Sequence, residues 1–315
     1  MRAMVITEFG GTDVFEEREV PRPEPGPTEV LVRVHATSVN PVDTKIRQAG
    51  SWAGVEPPEP IGYDVSGVVA DVGDGVSDFA VGDPVFYTPE IFEGQGSYAE
   101  YHVAEESIVA HKPPRLDHTE AAALPLAGGT AWDAVVERTA VGPGEVVLVH
   151  GTGGVGSVAV QLALASGARV VTVSSPETAE DMVAFGAERA IDYQEEDFVE
   201  VLEGTVADPV DVVVDTVGGE TLADSMEVVR PHARLVTIQP PEGDWGSAYL
   251  ENPTVHLLFL ERERYKLDGL RRMVEQGALE PYIDSVLPLS DVADAHERVE
   301  AGGLSGKVVL DVAGE

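Results

Sequence analysis

The chain has 315 residues, 56 of them acidic and 20 basic, a formal net charge of −36, and no cysteine. That length suggests about two domains with full hydrophobic cores, and the lack of thiols excludes disulfides, thiolate zinc sites and cysteine nucleophiles. The scarcity of cations speaks against nucleic acid and anionic membranes as partners.

In chain order, residues 1 to 118 read as mostly β. Val30–Ala36 alternates inward and outward, and Val65–Val72, Asp83–Tyr87 and Ser97–Val103 read as further short strands between Gly, Pro and Asp turns. Pro21–Pro27 reads as a surface connection. From residue 119 strands and helices alternate. Helices are predicted over Glu120–Leu126 and Gly129–Thr139, then a strand at Val146–Val149. They are followed by helix 155–165, strand Arg169–Val173, helix Glu177–Phe185 and strand Ala190–Tyr193. Helix Glu196–Leu202, strand Val210–Asp215, helix Thr221–Val229 and strand Arg234–Ile238 complete the series. This order predicts an α/β fold with a doubly wound parallel sheet. The tail adds strand Val255–Leu260, helix Leu267–Gln276, a strand near Tyr282–Leu287, helix Asp291–Glu300 capped by Ser290, and strand Lys307–Val312. These last elements are expected to return to the first domain. The expected organisation is thus 1–118 with 262–315, and an inserted domain over 119–261. No internal repeat is visible.

The segment from Glu145 to Ala163 carries the most chemistry. An apolar run breaks at Gly151-x-Gly153-x-x-Gly156 and resumes as a stripe, Val158, Leu162, Ala163, at helical spacing. A dinucleotide diphosphate needs strand, glycine turn and helix start in that order. Gly151 permits the turn, Gly153 lets the backbone approach phosphates, and Gly156 lets the helix pack close to the strand. The N-terminus at Gly154 and Val155 then offers free N–H groups and the positive end of a dipole. An isolated motif of this kind also occurs in ordinary glycine-rich turns; the flanking strand, helix and later βα units favour the cofactor. The next strand ends in Ser174 and Ser175, where an NAD-specific site places Asp or Glu. Two hydroxyls can donate to a 2′-phosphate, so NADP(H) is expected over NAD(H), by a modest margin because Glu177 adds a nearby negative charge. Arg189, on the neighbouring strand, is a further cation with no assigned place.

Several separated motifs then occur together and in order: Asn40-Pro-Val-Asp-Thr-Lys-Ile-Arg47, Gly62-Tyr-Asp-Val-Ser-Gly-Val-Val69, Val81-Gly-Asp-Pro-Val85, Gly96-Ser-Tyr-Ala-Glu-Tyr101, Leu124-Pro-Leu-Ala-Gly-Gly-Thr-Ala131, His150 to Gly156, Ile191-Asp-Tyr193 and Gly306-Lys-Val-Val-Leu310. Over essentially its whole length the chain resembles the zinc-independent quinone oxidoreductase (zeta-crystallin-like) branch of the medium-chain dehydrogenase/reductases. The resemblance implies a GroES-like mostly-β domain, a Rossmann domain, a cleft between them holding NADP(H), and a homodimer in which the strand Val255–Leu260 pairs with its symmetry mate. Zinc alcohol dehydrogenases of the superfamily carry a Gly-His-Glu motif where this chain has Gly62-Tyr63-Asp64, so no catalytic metal is expected. Without a Lewis acid to polarise an alcohol or ketone oxygen, the site suits electron-poor acceptors, quinones or α,β-unsaturated carbonyls.

The resemblance places Asn40 and Thr130 near the nicotinamide end and Tyr193 at the adenosine end. Each has a plainer reading: Asn40 as an Asn-Pro turn residue, Thr130 as a helix N-cap, Tyr193 as a strand terminus. Tyr63, Trp52 and Tyr87 either line a pocket for a flat acceptor or belong to the core. Lys45 and Trp52 stand where related reductases place tyrosines, and an indole N–H is not a practical acid. Lys45 either stabilises an oxyanion or is a solvated loop lysine. Asp64, His150 and Lys307 read as structural, and Thr178 occupies the place of the family's usual basic partner for the 2′-phosphate. The expected activity is NADPH-dependent, zinc-independent hydride transfer to quinones or related electron-poor acceptors. The alternatives are an enone or enoyl reductase, a low-turnover nucleotide-binding interaction protein, and a zinc alcohol dehydrogenase. No apolar run reaches the roughly 18 residues a membrane span requires, and Glu8 comes too early for a signal peptide, so a cytoplasmic location is expected. The acids are scattered rather than blocked into a tail, which reads as adaptation to a salt-rich cytoplasm, against the alternative of an acidic mesophile protein.

Overall fold

The structure, a computed structural model, describes every residue except Glu93, Val206, Ala207 and Glu315. Its contacts divide the chain into two units: Met1–Ala127 with Arg262–Gly277 and Pro281–Glu315, and Gly128–Glu261 with Ala278–Glu280.

The first unit is the GroES-like one. Its larger sheet runs Ile283–Pro288, Lys307–Asp311, Glu29–Val39, Val65–Val72, Pro84–Tyr87, Ala110–His111, with Tyr101–Glu105 also paired to Glu29–Val39. Lys307–Asp311 is antiparallel to Glu29–Val39, with Val308 opposite Val39, so the tail and the N-terminal region share this sheet. A smaller antiparallel sheet sets Arg2–Ile6 between Phe15–Glu19 and Glu59–Pro60; nothing in the sequence pattern had suggested it. The core gathers Ile6, Val39, Ile46, Ile61, Tyr63, Tyr98, Val308 and Leu310.

Several local expectations change. Asn40 is no isolated turn residue: it precedes the helix Pro41–Ala49, with Pro41 at the first position and the Asp43 carboxylate accepting the Asn40 N–H at 2.8 Å. Lys45 is therefore an exposed helical residue, not a loop one. The helix expected at 120–126 is His118–Ala122, started by a capping box between Asp117 and Glu120. Ala122 and Ala123 pack on Ala36 and Val309, which takes this helix into the first unit and moves the junction from residue 118 to 127. A second helix, Pro125–Trp132, starts at its proline and continues as a π-helical turn over Asp133–Arg138. Thr130 lies inside that helix and is not an N-cap. Ser290 donates to Asp291 at 2.9 Å and does not cap the helix Val292–Ala301. The strand expected over Ser97–Val103 begins only at Tyr101.

The second unit is the Rossmann one. Its six strands are all parallel, in the spatial order Arg189–Asp192, Arg169–Ser174, Val146–His150, Val210–Asp215, Val229–Thr237, Thr254–Leu257. In sequence terms that is third, second, first, fourth, fifth, sixth, the doubly wound order whose direction reverses between the first and fourth strands. Every residue of Val146–His150 is buried, which explains why Val146–Val149 reads as an uninterrupted apolar run. The helix expected over Thr221–Val229 ends at Asp224, and the following strand starts at Val229, five residues early. The Gln161 amide exchanges hydrogen bonds with the backbone of Glu280, at 3.0 and 2.8 Å, which attaches Ala278–Glu280 to this unit. Among the described residues no helix is long and apolar enough to cross a membrane.

Candidate active site

In the second unit each glycine of the turn after Val146–His150 answers to a different requirement. Gly151 has φ +79°, and a side chain there would press on Thr216 and Val217. Gly156 packs so closely on the Gly151 carbonyl that no Cβ fits. Gly153, at the N-cap of helix Gly154–Ala165, has no atom within 4 Å of where a Cβ would stand, and no side chain caps this helix. An open, uncapped helix start behind a glycine turn, with Gly153, Gly154 and Val155 half-buried, fits a diphosphate. A buried hydroxyl pair, Thr152 and Thr178 at 2.7 Å, ties the turn to helix Pro176–Phe185. Thr178 is thus engaged within the fold.

At the end of strand Arg169–Ser174 the two serines separate. Ser174 is buried, its Oγ without a partner among the described residues, while Ser175 is half-buried at the N-cap of the next helix. The Ser175 hydroxyl donates to Glu177 and holds that carboxylate below its ordinary range. Arg189 donates to Glu196 at 2.6 Å. Tyr193 is 59% exposed, its N–H bonded to the Ser174 carbonyl at 3.3 Å. His150 is structural: its Nε2 meets Ser225 Oγ at 2.9 Å, its ring packs edge-on against Phe198, and burial lowers its pKa to about 4.

In the first unit, Asn40 is the hub of a buried polar cluster. Asp64 Oδ2 accepts from Ser38 Oγ at 2.5 Å and Asn40 Nδ2 at 2.7 Å, and its Oδ1 accepts from the Leu126 N–H at 2.8 Å. Lys307 Nζ stands 3.5 Å from Asp64 and donates to Asn40 Oδ1 and to the Val39 carbonyl. Burial pushes the Asp64 carboxyl up and the Lys307 ammonium down, and each opposes the shift of the other. With three donors on the carboxylate and a cation beside it, we take the pair as ionised. Asp43 also accepts from Tyr98 Oη at 3.0 Å, and that oxygen lies 3.0 Å from His296 Nε2. Burial raises Asp43 to about 7 and lowers His296 to about 3.

Two expected pocket walls are interior instead. Tyr63 belongs to the core, its Oη buried without a hydrogen-bond partner among the described residues, and Tyr87 is enclosed with its Oη 2.9 Å from His102. Tyr63 packs among strand and helix residues of that core, and the Tyr87 ring lies against His102. Trp52 differs: it is 50% exposed and meets Phe92 edge-on at 6.0 Å. Thr130 is buried in the second unit. The sequence reading had left out Ser38, Asp43, Tyr98 and His296. Of these Asp43 alone carried a signal, because Asn-Pro-x-Asp is a helix start with its capping acid.

A GroES-like unit and a six-stranded Rossmann unit with a glycine turn of this kind are the architecture of the nicotinamide-dependent oxidoreductases. Residues 26–114 match the alcohol dehydrogenase GroES-like domain and residues 185–310 the zinc-binding dehydrogenase family. The chain is 35% identical to the NADPH-dependent alkenal/one oxidoreductase, chloroplastic, of Arabidopsis thaliana, over 98% of this chain and 79% of that one. It is 32% identical to the quinone oxidoreductase of Homo sapiens, over 98% and 97%. A solved NAD-dependent alcohol dehydrogenase superposes with a TM-score of 0.92 at 32% identity, covering 99% of this chain and all of that one. The chain belongs to the medium-chain dehydrogenase/reductase superfamily, with quinone oxidoreductases and alkenal reductases among its relatives.

Proposed function

We propose that this protein is a zinc-independent reductase that moves a hydride from NADPH to quinones or α,β-unsaturated carbonyls. The observation that carries the reading is the state of Gly62-Tyr63-Asp64. Tyr63 is packed in the core, and every oxygen of Asp64 is occupied by hydrogen-bond donors or the Lys307 ammonium. Neither is a ready metal ligand, and among the described residues no three His, Asp or Glu side chains are grouped to hold an ion. A site of that composition suits acceptors whose own conjugation accepts a hydride. The cofactor, when bound, supplies that hydride. Gly151, Gly153, Gly154, Val155 and Gly156 would hold its diphosphate, Ser174 and Ser175 would border the ribose carrying the 2′-phosphate, Tyr193 would meet the adenosine, and Asn40 and Thr130 would orient the nicotinamide.

Steady-state oxidation of NADPH against a quinone panel and an enone panel, before and after exhaustive chelation, tests this. Turnover with either panel that survives chelation is expected. Loss on chelation with recovery on adding zinc would replace the reading with a zinc enzyme. Binding of NADPH without turnover on either panel would favour an interaction protein. The relative named for alkenal reduction gives the enone panel equal standing with the quinones.

We also propose a homodimer through Thr254–Leu257. Among the described residues this strand pairs on one side, with Val229–Thr237, and Val255, Leu257 and Phe259 are exposed. Light scattering in high salt should give twice the monomer mass; monomer alone at micromolar concentration would refute it.

A further inference from the structure

We infer that Lys307 and Asp64 are positioning residues that lock the side-chain amide of Asn40 in one of its two orientations. The inference rests on the proposed placing of Asn40 beside the nicotinamide, and it concerns residues that reading leaves without a role. An asparagine amide is nearly symmetric in shape, so packing alone does not choose between its oxygen and its nitrogen. Charge does. An ionised carboxylate only accepts and an ammonium only donates. Asn40 Nδ2 meets Asp64 at 2.7 Å and Asn40 Oδ1 meets Lys307. The flipped amide would set oxygen against carboxylate and N–H₂ against ammonium. All three side chains are buried, at 2%, 0% and 6% exposure for Asn40, Asp64 and Lys307, so water is not at hand to relieve that mismatch.

The backbone holds the same point. Asn40 joins strand Glu29–Val39 to helix Pro41–Ala49, and its N–H is taken by Asp43. Lys307 opens the strand paired antiparallel to Glu29–Val39, so the register that sets Val308 opposite Val39 brings its ammonium to Asn40. Gly306, at φ +108°, leaves no room for a Cβ against the Tyr282 carbonyl, which fixes how the chain enters that strand. With one N–H spent on Asp64, and the oxygen facing Lys307 and the Asp43 N–H of the helix start, the amide retains one N–H of defined direction. That is a donor for an acceptor such as a carbonyl oxygen.

The test uses the full-length protein with NADPH and whichever acceptor gives turnover. The variants are Asn40→Ala, Asp64→Asn, the neutral pair Lys307→Met with Asp64→Asn, and that pair combined with Asn40→Ala. The neutral pair removes both charges together, so no buried ion is left alone. Loss of orientation without loss of binding should lower its kcat about 10- to 100-fold, while the NADPH Kd stays within threefold, and adding Asn40→Ala should cost nothing more. Asp64→Asn keeps the shape and, through its oxygen, the Leu126 bond, sets an N–H₂ where Ser38 and Asn40 now donate, and should show the same split in smaller measure if the neutral pair does not fold. Wild-type kcat in the neutral pair, or losses that multiply with Asn40→Ala, would overturn the inference while leaving the role of Asn40 standing. Unchanged kcat in Asn40→Ala would overturn the placing of Asn40 itself and this inference with it. A matching rise in Kd and fall in kcat would reduce the cluster to a structural one.

Discussion

Replacing Gly153 and Gly156 by alanine, one at a time, should separate cofactor binding from folding within a single turn. Gly153 has φ −71° and ψ −151°, extended and outside the left-handed region that favours glycine, and apart from its chain neighbours no described atom lies within 4 Å of the new methyl. Alanine is a poorer N-cap than glycine by about 0.5 kcal/mol, and at about 2–4 °C per kcal/mol the melting temperature should move by only about 1–2 °C. The methyl would occupy space that the structure leaves open at the helix N-terminus. If a diphosphate sits there, the intrusion costs about 1–3 kcal/mol, and NADPH should bind about 5- to 150-fold more weakly. Gly156→Ala acts differently. Its methyl runs into the Gly151 carbonyl, and because both close atoms are backbone no flexible side chain can yield. The same about 1–3 kcal/mol then falls on the fold, lowering the melting temperature by about 2–12 °C. Thermal melts and NADPH fluorescence titrations of both variants, at one fixed salt concentration, decide the matter. Gly153→Ala that folds normally and binds NADPH within twofold of wild type would refute the placing of the diphosphate. An unchanged melt for Gly156→Ala would refute the packing argument.

Ser175→Asp should lower the NADPH-to-NADH ratio of kcat/KM at least about tenfold, because it replaces the accessible hydroxyl at the strand end with a charge that repels a 2′-phosphate; an unchanged ratio would mean the ribose lies elsewhere. Asp43 titrates at about 7 in the folded chain against an ordinary 3.8, so its contribution to stability is greatest in acid and is lost as pH rises from about 4 to about 7. His102, His118, His150 and His296, lowered to about 4, 4, 4 and 3, act in the opposite sense and lose stability as pH falls below 6.5. The difference in urea stability between wild type and Asp43→Asn isolates the aspartate, and should shift toward the variant between pH 4 and 7; a flat difference would contradict it. With a net charge of −36, melting temperature and activity should rise as salt goes from about 0.1 M to above 1 M and the screening length falls from about 10 Å to about 3 Å. A melt that is flat or falls over that range would remove the case for salt adaptation.

The Rossmann unit was legible in the sequence because its signals are local. Val146–Val149 is buried on both faces and so is apolar throughout, the helices after it carry stripes, and the three glycines lie within six residues of one another. Boundaries failed where a local rule met a tertiary one. Helix Pro125–Trp132 runs through Gly128 and Gly129, and Val229 is drawn into the sheet by pairing with Val210. The cluster around Asn40 lay beyond local reading, for its partners Asp64 and Lys307 are 24 and 267 residues away along the chain. Each of those residues taken singly reads as a turn, a buried acid or a strand start. Their charges acquire meaning only when strand pairing sets them side by side out of water, where an unpaired charge is costly and a paired one dictates which way a neutral amide must face. In the same way Ser174 and Ser175 are alike in sequence, and only the direction each side chain takes at the end of its strand makes one interior and leaves the other accessible.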